Sequence, residues 1–173
     1  MADAIPNLPG PYVGYNVAHW IGYRFLYSNG AAAGVFTASC VIPAYTLILD
    51  MIVTSHDLWN QGTTAAIIVG DGDDPDGFFV SSNLKATDLL KYESIGLSGG
   101  TGLAGGRIGA YVANSQWCLG SGVYGQFSPA VRTLTATLTT TGSTATTGDI
   151  YWFINVCTFS GSEPIRTATY AAT

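Results

Sequence analysis

The chain has 173 residues, of which 10% are charged and 47% are hydrophobic, and its net charge is -5. An ordinary soluble domain carries roughly a quarter charged residues, so the exterior of this protein must consist largely of uncharged polar and small side chains. Covering such side chains does not strip an ion of its hydration. The composition therefore predicts assembly with other chains and disfavours an enzyme that acts alone in solution.

Charge and hydropathy also disfavour several partners. The six Lys and Arg residues are scattered along the chain, whereas direct binding of nucleic acid needs clustered positive charge. The N-terminus has no basic and apolar signal, and no stretch approaches the roughly 18–20 uninterrupted apolar residues of a membrane helix. The sequence predicts a protein made in the cytoplasm, with no direct nucleic-acid partner and no membrane partner.

The cysteines Cys40, Cys118 and Cys157 are odd in number and widely spaced. Disulfide frameworks use an even number of cysteines, and zinc ligands usually come in close pairs. We therefore predict three buried free thiols.

Residues 1–11 are predicted to form an extended arm, because three prolines at positions 6, 9 and 11 exclude a helix and favour extended or polyproline-like backbone. Two interpretations remain open: a frayed terminus, or an arm that lies on a neighbouring subunit. In the second, the partner-binding side chains are Ile5, Pro6, Leu8 and Pro9.

Residues 12–173 are predicted to form one β-sandwich domain. The β-branched and aromatic residues predict strands at 12–20, 21–28, 35–42, 45–55, 65–70 and 78–81. The strand at 45–55 is the most hydrophobic and is predicted to be central. Alternation would place Leu47, Leu49, Met51 and Val53 on one face of it.

The next segments are less regular. Residues 83–93 have helix-like spacing with Ser82 as a candidate cap, and the glycine-rich residues 98–106 predict an irregular loop.

The C-terminal third has the clearest pattern. Residues 131–140 alternate strictly, with Leu134, Ala136 and Leu138 inward and four threonines outward, as in an antiparallel strand with one solvated face. Residues 150–158 predict a core strand that forms a hairpin with it. Eight to ten strands at this spacing, with at most one short helix, predict an all-β antiparallel sandwich or barrel.

Four carboxylates lie close together in the GDGDDPDGFF loop: Asp71, Asp73, Asp74 and Asp76. Oxygen ligands at this spacing suit calcium, although the EF-hand pattern fails because its twelfth position falls on Asn83. The interpretation we favour is a solvated connection in which Asp76 and Gly77 are the turn residues and Pro75 fixes φ. We therefore expect no cofactor, with calcium as the alternative.

Catalysis has little support in the sequence. A nucleophile needs a base and an orienting group, and only His19 and His56 are present, neither near a recognisable catalytic motif. Several aromatic residues offer a candidate sugar-binding face, but we favour packing within the sandwich for them. They are Tyr12, Tyr15, Trp20, Tyr23, Phe25 and Tyr27.

Two segments resemble small β-sandwich virion proteins of tailed bacteriophages, particularly those of aquatic phages. They are VGDGDDPDGFF, followed by a short stretch with Leu, Ala and Asp, and LTATLTTTGSTATTGDIYWFINV near the C-terminus. The resemblance covers residues 45–158 and is strongest to capsid decoration (cement) proteins, which are charge-poor, jelly-roll-like and often trimeric.

The resemblance implies a non-enzymatic virion protein, assembled in the host cytoplasm, that binds the outer capsid surface and bridges major capsid subunits as a homotrimer. The alternative is a tail, neck or fibre component with a carbohydrate-binding sandwich. A hydrolase using His56 is the least supported interpretation.

Overall fold

The computed structural model describes residues 18–29, 34–86, 88–97, 108–113 and 127–159. These residues form nine strands, one single-turn 3-10 helix at Tyr27–Asn29 and one short helix, α1, at Ala110–Ala113. The strands are β1 His19–Leu26, β2 Gly34–Ile42, β3 Thr46–Asp57, β4 Thr64–Asp71, β5 Phe79–Asn83, β6 Ser94–Gly96, β7 Phe127–Ser128, β8 Arg132–Thr141 and β9 Asp149–Thr158. The predicted all-β class is confirmed.

The strands form two antiparallel sheets. Sheet I has the order β1-β9-β3-β6, with β7 also pairing with β3, and sheet II has the order β2-β8-β4-β5. If β7 is set aside, the pairs are nested: β1 with β9, β2 with β8, β3 with β6 and β4 with β5. This nesting is the jelly roll, in which a long antiparallel ribbon wraps into two packed sheets.

The core lies between the inner faces of the two sheets. Sheet I contributes Met51, Ile154 and Trp152, all fully buried, and Tyr23 stacks on Trp152 with ring centroids 5.2 Å apart. Sheet II contributes Ile67 and other fully buried side chains. Burial of such side chains stabilises the fold by roughly 1.5–3 kcal/mol each, so this core is a major source of stability.

The predicted alternation of β8 is confirmed, since Leu134, Ala136 and Leu138 are fully buried whereas Thr133 and Thr139 are exposed. The predicted hairpin of β8 with β9 is wrong. β8 pairs with β2 and β4 in sheet II, and β9 pairs with β1 and β3 in sheet I. The loop between them therefore crosses from one sheet to the other.

The central position of β3 is confirmed, but the predicted faces are wrong for its first half. A β-bulge between Ile48 and Asp50 adds one residue to β3 relative to β9, and the Asp50 carboxylate accepts a hydrogen bond from the Met51 amide at 2.8 Å. A bulge shifts the alternation by one residue. As a result, Ile48 and Met51 are both buried and Leu49 is exposed.

The predicted helix at 83–93 is wrong. Ser82 belongs to β5, and turns follow at residues 84–86 and 91–92. The Asn83 side chain accepts a hydrogen bond from the Lys85 amide, and the Asp88 carboxylate accepts one from the Asn83 amide, each at 2.7 Å. Such local side-chain bonds compete with helix formation, and Ala86 and Tyr92 both have positive φ.

The predicted arm at 1–11 and the glycine-rich loop at 98–106 lie outside the described residues. In the part of the chain that is described, no helix has the length and apolar character needed to cross a membrane.

Cys40 and Cys157 are buried free thiols, and Cys118 lies outside the described residues. Because both described thiols lie in core strands, where a thiol behaves as a small hydrophobe, we expect all three cysteines to be reduced. Intact-mass measurement under non-reducing, denaturing conditions should show no loss of hydrogen, and a deficit of two hydrogens would contradict the prediction.

Candidate functional site

The outer face of sheet II forms an uncharged surface across β2, β8 and β4. Thr137, at its centre, lies opposite Thr37 on β2 and Ile68 on β4. Its outward positions on β2, β4 and β8 carry no charged side chain. We call it the threonine face, and it comprises Val35, Thr37, Ser39, Val41, Thr64, Ala66, Ile68, Thr133, Thr135, Thr137 and Thr139.

The edge of this face is also uncharged. β2 is the edge strand of sheet II and contains no ionisable residue except the buried Cys40. Val35 and Val41, both on β2, are each 64% exposed. Sheet edges in monomeric proteins are usually protected by charges, prolines or bulges, because an open edge can pair with another chain. The threonine face and its edge therefore have the chemistry of a surface that is covered in an assembly.

The outer face of sheet I is aromatic. Tyr151 and Phe153 stack with centroids 5.8 Å apart, Trp20 meets Phe153 edge-on at 6.5 Å, and the Arg24 guanidinium lies 5.5 Å from the centre of the Tyr151 ring. A Cβ on Gly22 would lie 2.9 Å from the Phe153 ring, so the glycine makes room for that ring. Trp20 is 46% exposed and offers an uncovered aromatic surface.

The sequence analysis grouped aromatic residues that the structure divides. Phe25 is buried, and Tyr23 and Tyr27 pack against the core, whereas Trp20 faces outward. Tyr12 and Tyr15 lie outside the described residues. Tyr151 and Phe153, which complete the aromatic face, were missed because their strand was interpreted only as a core strand.

His56 lies in an ion cluster at one end of sheet I. Its Nδ1 lies 3.1 Å from the Asp149 carboxylate, which also accepts two hydrogen bonds from Arg24 at 2.7 and 2.9 Å. Asp149 is buried, whereas the Arg24 side chain is half-exposed. The Arg24 guanidinium on the same carboxylate distinguishes this cluster from a catalytic dyad, in which the carboxylate orients the histidine alone. The cluster ties β1, β3 and β9 together.

Asp71 is the buried member of the acidic loop. Its carboxylate accepts hydrogen bonds from the Tyr111 hydroxyl at 2.7 Å and from the amides of Asp73 and Asp74 at 3.0 and 2.9 Å. Its second oxygen accepts a hydrogen bond from the buried Arg132 side chain. Burial alone would raise the pKa of Asp71, but these donors outweigh burial and the pKa falls below its usual value.

Sequence analysis missed Arg132 and Tyr111 as partners of the loop. The Arg132 guanidinium lies 4.9 Å from the centre of the Tyr111 ring and 5.2 Å from that of Phe78. A Cβ on Gly77 would lie 2.3 Å from the Tyr111 ring. The base of the loop is thus packed against α1 and β8, and Asp71 is a structural anchor rather than a solvated acid.

The other three acids are more accessible. Asp73 is exposed, and Asp74 and Asp76 are half-buried. Burial raises the pKa of Asp74, and the neighbouring Asp76 raises it further. Among the described residues, no three His, Cys, Asp or Glu side chains are grouped so that they could share a metal ion. Calcium binding by the loop remains the alternative interpretation, which a titration can test.

We expect calcium to change the melting temperature only slightly. The Asp71 carboxylate already has four hydrogen-bond donors, and a cation would have to displace Arg132 to use both of its oxygens. A cation that binds only the folded state raises stability by mass action. Thermal unfolding in calcium and in chelator should therefore nearly coincide, and a large shift would identify the loop as a calcium site.

We expect Asp74→Asn to raise the melting temperature near neutral pH. A carboxyl whose pKa is raised by folding binds its proton more tightly in the folded state, so its ionised form destabilises the fold at high pH. The gain should disappear as the pH falls and Asp74 becomes protonated. Thermal unfolding across pH, with the exposed Asp73→Asn as control, measures it, and equal effects of the two variants would contradict the prediction.

The sequence matches no protein-family model and no curated protein. Its fold is similar to that of a chain in the acidic stable capsid structure of Helicobacter pylori bacteriophage KHP30, with a TM-score of 0.50, 9% identity, and 82% of this chain and 87% of that chain covered. A chain in the capsid of Ralstonia phage GP4 has a TM-score of 0.49 and 15% identity, with 90% of this chain and 93% of that chain covered. A chain in the capsid asymmetric unit of cyanophage Pam1 has a TM-score of 0.47 and 16% identity, with 92% of this chain and 98% of that chain covered. Identities this low indicate a similar fold and nothing finer.

Proposed function

We propose that the protein is a non-enzymatic structural protein of a phage virion that binds the outside of the capsid as a decoration or cement protein. It bridges neighbouring major capsid subunits and associates with its own copies, most simply as a trimer. The similarity of its fold to a chain in a phage capsid structure supports the class of protein. The uncharged threonine face carries the proposal that it acts by covering another surface.

The threonine face can be covered at a low desolvation cost. An interface is energetically costly where it buries charges that find no partner, and the cores of protein interfaces are depleted of charged residues. The outward side chains of β2, β4 and β8 avoid this cost entirely. A flat, hydroxyl-rich surface can instead satisfy its hydrogen bonds with a partner backbone or with bridging water.

Attachment at several points would make modest contacts sufficient. A standard protein interface buries about 1,600 Å² and can be weak or tight at that size. Three linked copies that touch several capsid subunits gain avidity, because the first contact raises the effective concentration for the others. A trimer can therefore strengthen a shell without any single tight contact.

The test is the position of the protein on the particle. Immunogold electron microscopy of intact virions should show label distributed over the head, and sedimentation of the purified protein should show a trimer. Label confined to the tail, or a monomer without affinity for heads, would contradict the proposal.

The second candidate is a tail or fibre component that binds carbohydrate through the aromatic face. The exposed Trp20 beside Phe153 and Tyr151 favours it, because sugars stack on aromatic rings. Trp20→Ala should then abolish binding to host-cell glycans while leaving incorporation of the protein into the virion unchanged. Under the decoration proposal, neither the wild-type protein nor the Trp20→Ala variant binds glycans.

A further inference from the structure

An apolar cleft lies where the edges of the two sheets meet. β1 ends sheet I and β2 ends sheet II, and these consecutive strands lie on the same side of the sandwich. The cleft has a volume of about 230 Å³. Its lining is mostly aromatic and aliphatic and consists of Arg24, Phe25, Leu26, Phe36, Thr37, Ala38 and Trp59.

The walls of the cleft are held in place. Trp59 and Phe36 are in ring contact at 6.3 Å, and the Trp59 indole nitrogen donates a hydrogen bond to the Gln61 side chain at 3.2 Å. Farther along the two strands, Tyr23 and Cys40 are hydrogen-bonded, which links β1 to β2. The wall formed by Phe36 and Trp59 is therefore preformed.

The dimensions favour a few side chains over a small-molecule ligand. Pockets for cofactors and drug-sized ligands usually measure about 300–1,000 Å³ and contain several convergent polar groups. This cleft is smaller, and the guanidinium of Arg24 is already engaged by Asp149. What remains is an uncharged recess lined by aromatic rings.

We propose that the cleft binds residues 5–9 from the N-terminal segment of a second copy of this chain. The sequence of that segment is Ile-Pro-Asn-Leu-Pro, which is uncharged and has prolines three residues apart. A polyproline helix has three residues per turn, so Ile5 and Leu8 share one side and Pro6 and Pro9 share the next. Segments with this proline spacing bind aromatic-lined grooves and lose little conformational entropy in doing so.

The backbone chemistry is complementary as well. Proline has no N–H but keeps a carbonyl acceptor, so such a segment needs donors from its partner. Within the described residues, β1 pairs only with β9 and β2 only with β8. Each strand therefore has one edge with no partner strand among the described residues, and amides on that edge can donate to the carbonyls of the segment.

A second copy is favoured over the same chain by the direction of β1. The cleft is lined by the last residues of β1, Arg24 to Leu26, whereas the N-terminal segment joins the strand at its other end, at His19. These ends are about 16–23 Å apart at roughly 3.3 Å per residue. To enter its own cleft, the segment would have to reverse direction and run back along the strand. The inference does not depend on what particle the protein coats.

Disulfide trapping between singly substituted full-length chains tests the proposal. Ala38 lines the cleft with its side chain inward, and the next residue, Ser39, is exposed on the threonine face. Chains carrying Leu8→Cys, mixed with chains carrying Ala38→Cys and oxidised, should give a mixed covalent dimer identified by mass. Leu8→Cys mixed with Ser39→Cys should give several-fold less, and wild-type chains set the background from native thiols.

The outcomes are distinct. Equal trapping at positions 38 and 39, or none at either, would overturn binding in the cleft. A chain that carries both Leu8→Cys and Ala38→Cys tests the assignment to a second copy. A disulfide within that chain, instead of between two chains, would overturn the assignment.

Sedimentation of terminal variants gives a second measurement that leaves the sandwich unaltered. Leu8→Asp should weaken self-association several-fold, whereas Asn7→Asp, which adds the same charge on the opposite side of a polyproline helix, should not. Equal effects of the two would overturn the proposal, and neither result depends on attachment to a phage head.

Discussion

The Thr137→Lys variant is expected to fold normally but to associate with its partner surface about 30-fold or more less tightly than wild type. Thr137 lies at the centre of the threonine face, opposite Thr37 and Ile68. A lysine there extends into solvent in the isolated subunit and costs little stability. Covering its charge without a partner costs about 2–5 kcal/mol, and each 1.4 kcal/mol is a tenfold change in affinity.

The measurement compares the retention of wild type and variant on purified heads, together with sedimentation and thermal unfolding of each free protein. Thr144→Lys adds the same charge at an exposed residue of the β8–β9 loop and should attach like wild type. Thr137→Ser should also attach, because it keeps the hydroxyl. If Thr137→Lys assembled and attached normally, the threonine face would not be the covered surface.

The features that the sequence predicted correctly are those set by local periodicity. In β8, each inward residue from Leu134 to Leu138 is apolar and each outward one is threonine, so a single strand reveals both faces. The threonine face follows from this pattern, since β2 and β4 bring equally uncharged outward residues beside it. Alternation identified the row of threonines on β8, whereas the fold determines that β2 and β4 lie beside it.

The wrong predictions for β3 and for residues 83–93 occurred where one contact interrupts the regular spacing of apolar residues. The bulge between Ile48 and Asp50 depends on the pairing of β3 with β9, more than 100 residues later in the chain. The false helix at 83–93 has helix-like spacing, but Leu84 and Leu89 are both buried and the Asp88 carboxylate holds the Asn83 amide. Neither a bulge partner nor a side-chain turn is visible in the spacing of apolar residues.

The wrong hairpin has a topological cause. Strands that follow each other along the chain usually pair, and the short loop between β8 and β9 made pairing the natural expectation. In a jelly roll, however, consecutive strands can belong to opposite sheets. The apolar pattern of the sequence predicts both core strands, but it does not indicate which sheet each strand joins.

The acidic loop illustrates the same limit for a candidate site. Asp71 ends a buried strand, which is a signal that its carboxylate must find partners inside the protein. Those partners, Tyr111 and Arg132, lie 40 and 61 residues away, and only the fold brings them to it. A cluster of carboxylates in a sequence therefore cannot be divided into anchors and solvated acids before the partners are known.

The second large effect is expected at this anchor. Asp71→Asn should lower the free energy of unfolding by about 3–5 kcal/mol, because it removes the negative charge that lies beside the buried Arg132 guanidinium. Both side chains are less than one-tenth exposed. For a domain of this size the melting temperature should fall by about 6–20 °C. Asp73→Asn, in the same loop but exposed, should have little effect.

Two further comparisons separate the ion pair from simple packing. Replacing both partners, as Asp71→Asn with Arg132→Met, should recover much of the loss, because no charge is then buried at either position. The asparagine oxygen still accepts hydrogen bonds from Tyr111 and from the amides of Asp73 and Asp74. The pH dependence has a definite sign. Because folding lowers the pKa of Asp71, its contribution is present above the unfolded-state pKa of about 3.9 and is lost as the pH falls through the lower folded-state value. The gap between wild type and Asp71→Asn should therefore be widest near neutral pH and narrow in acid, measured by denaturant unfolding at each pH. A gap that stayed constant with pH would mean that the carboxylate charge contributes nothing and that only the shape of the side chain matters.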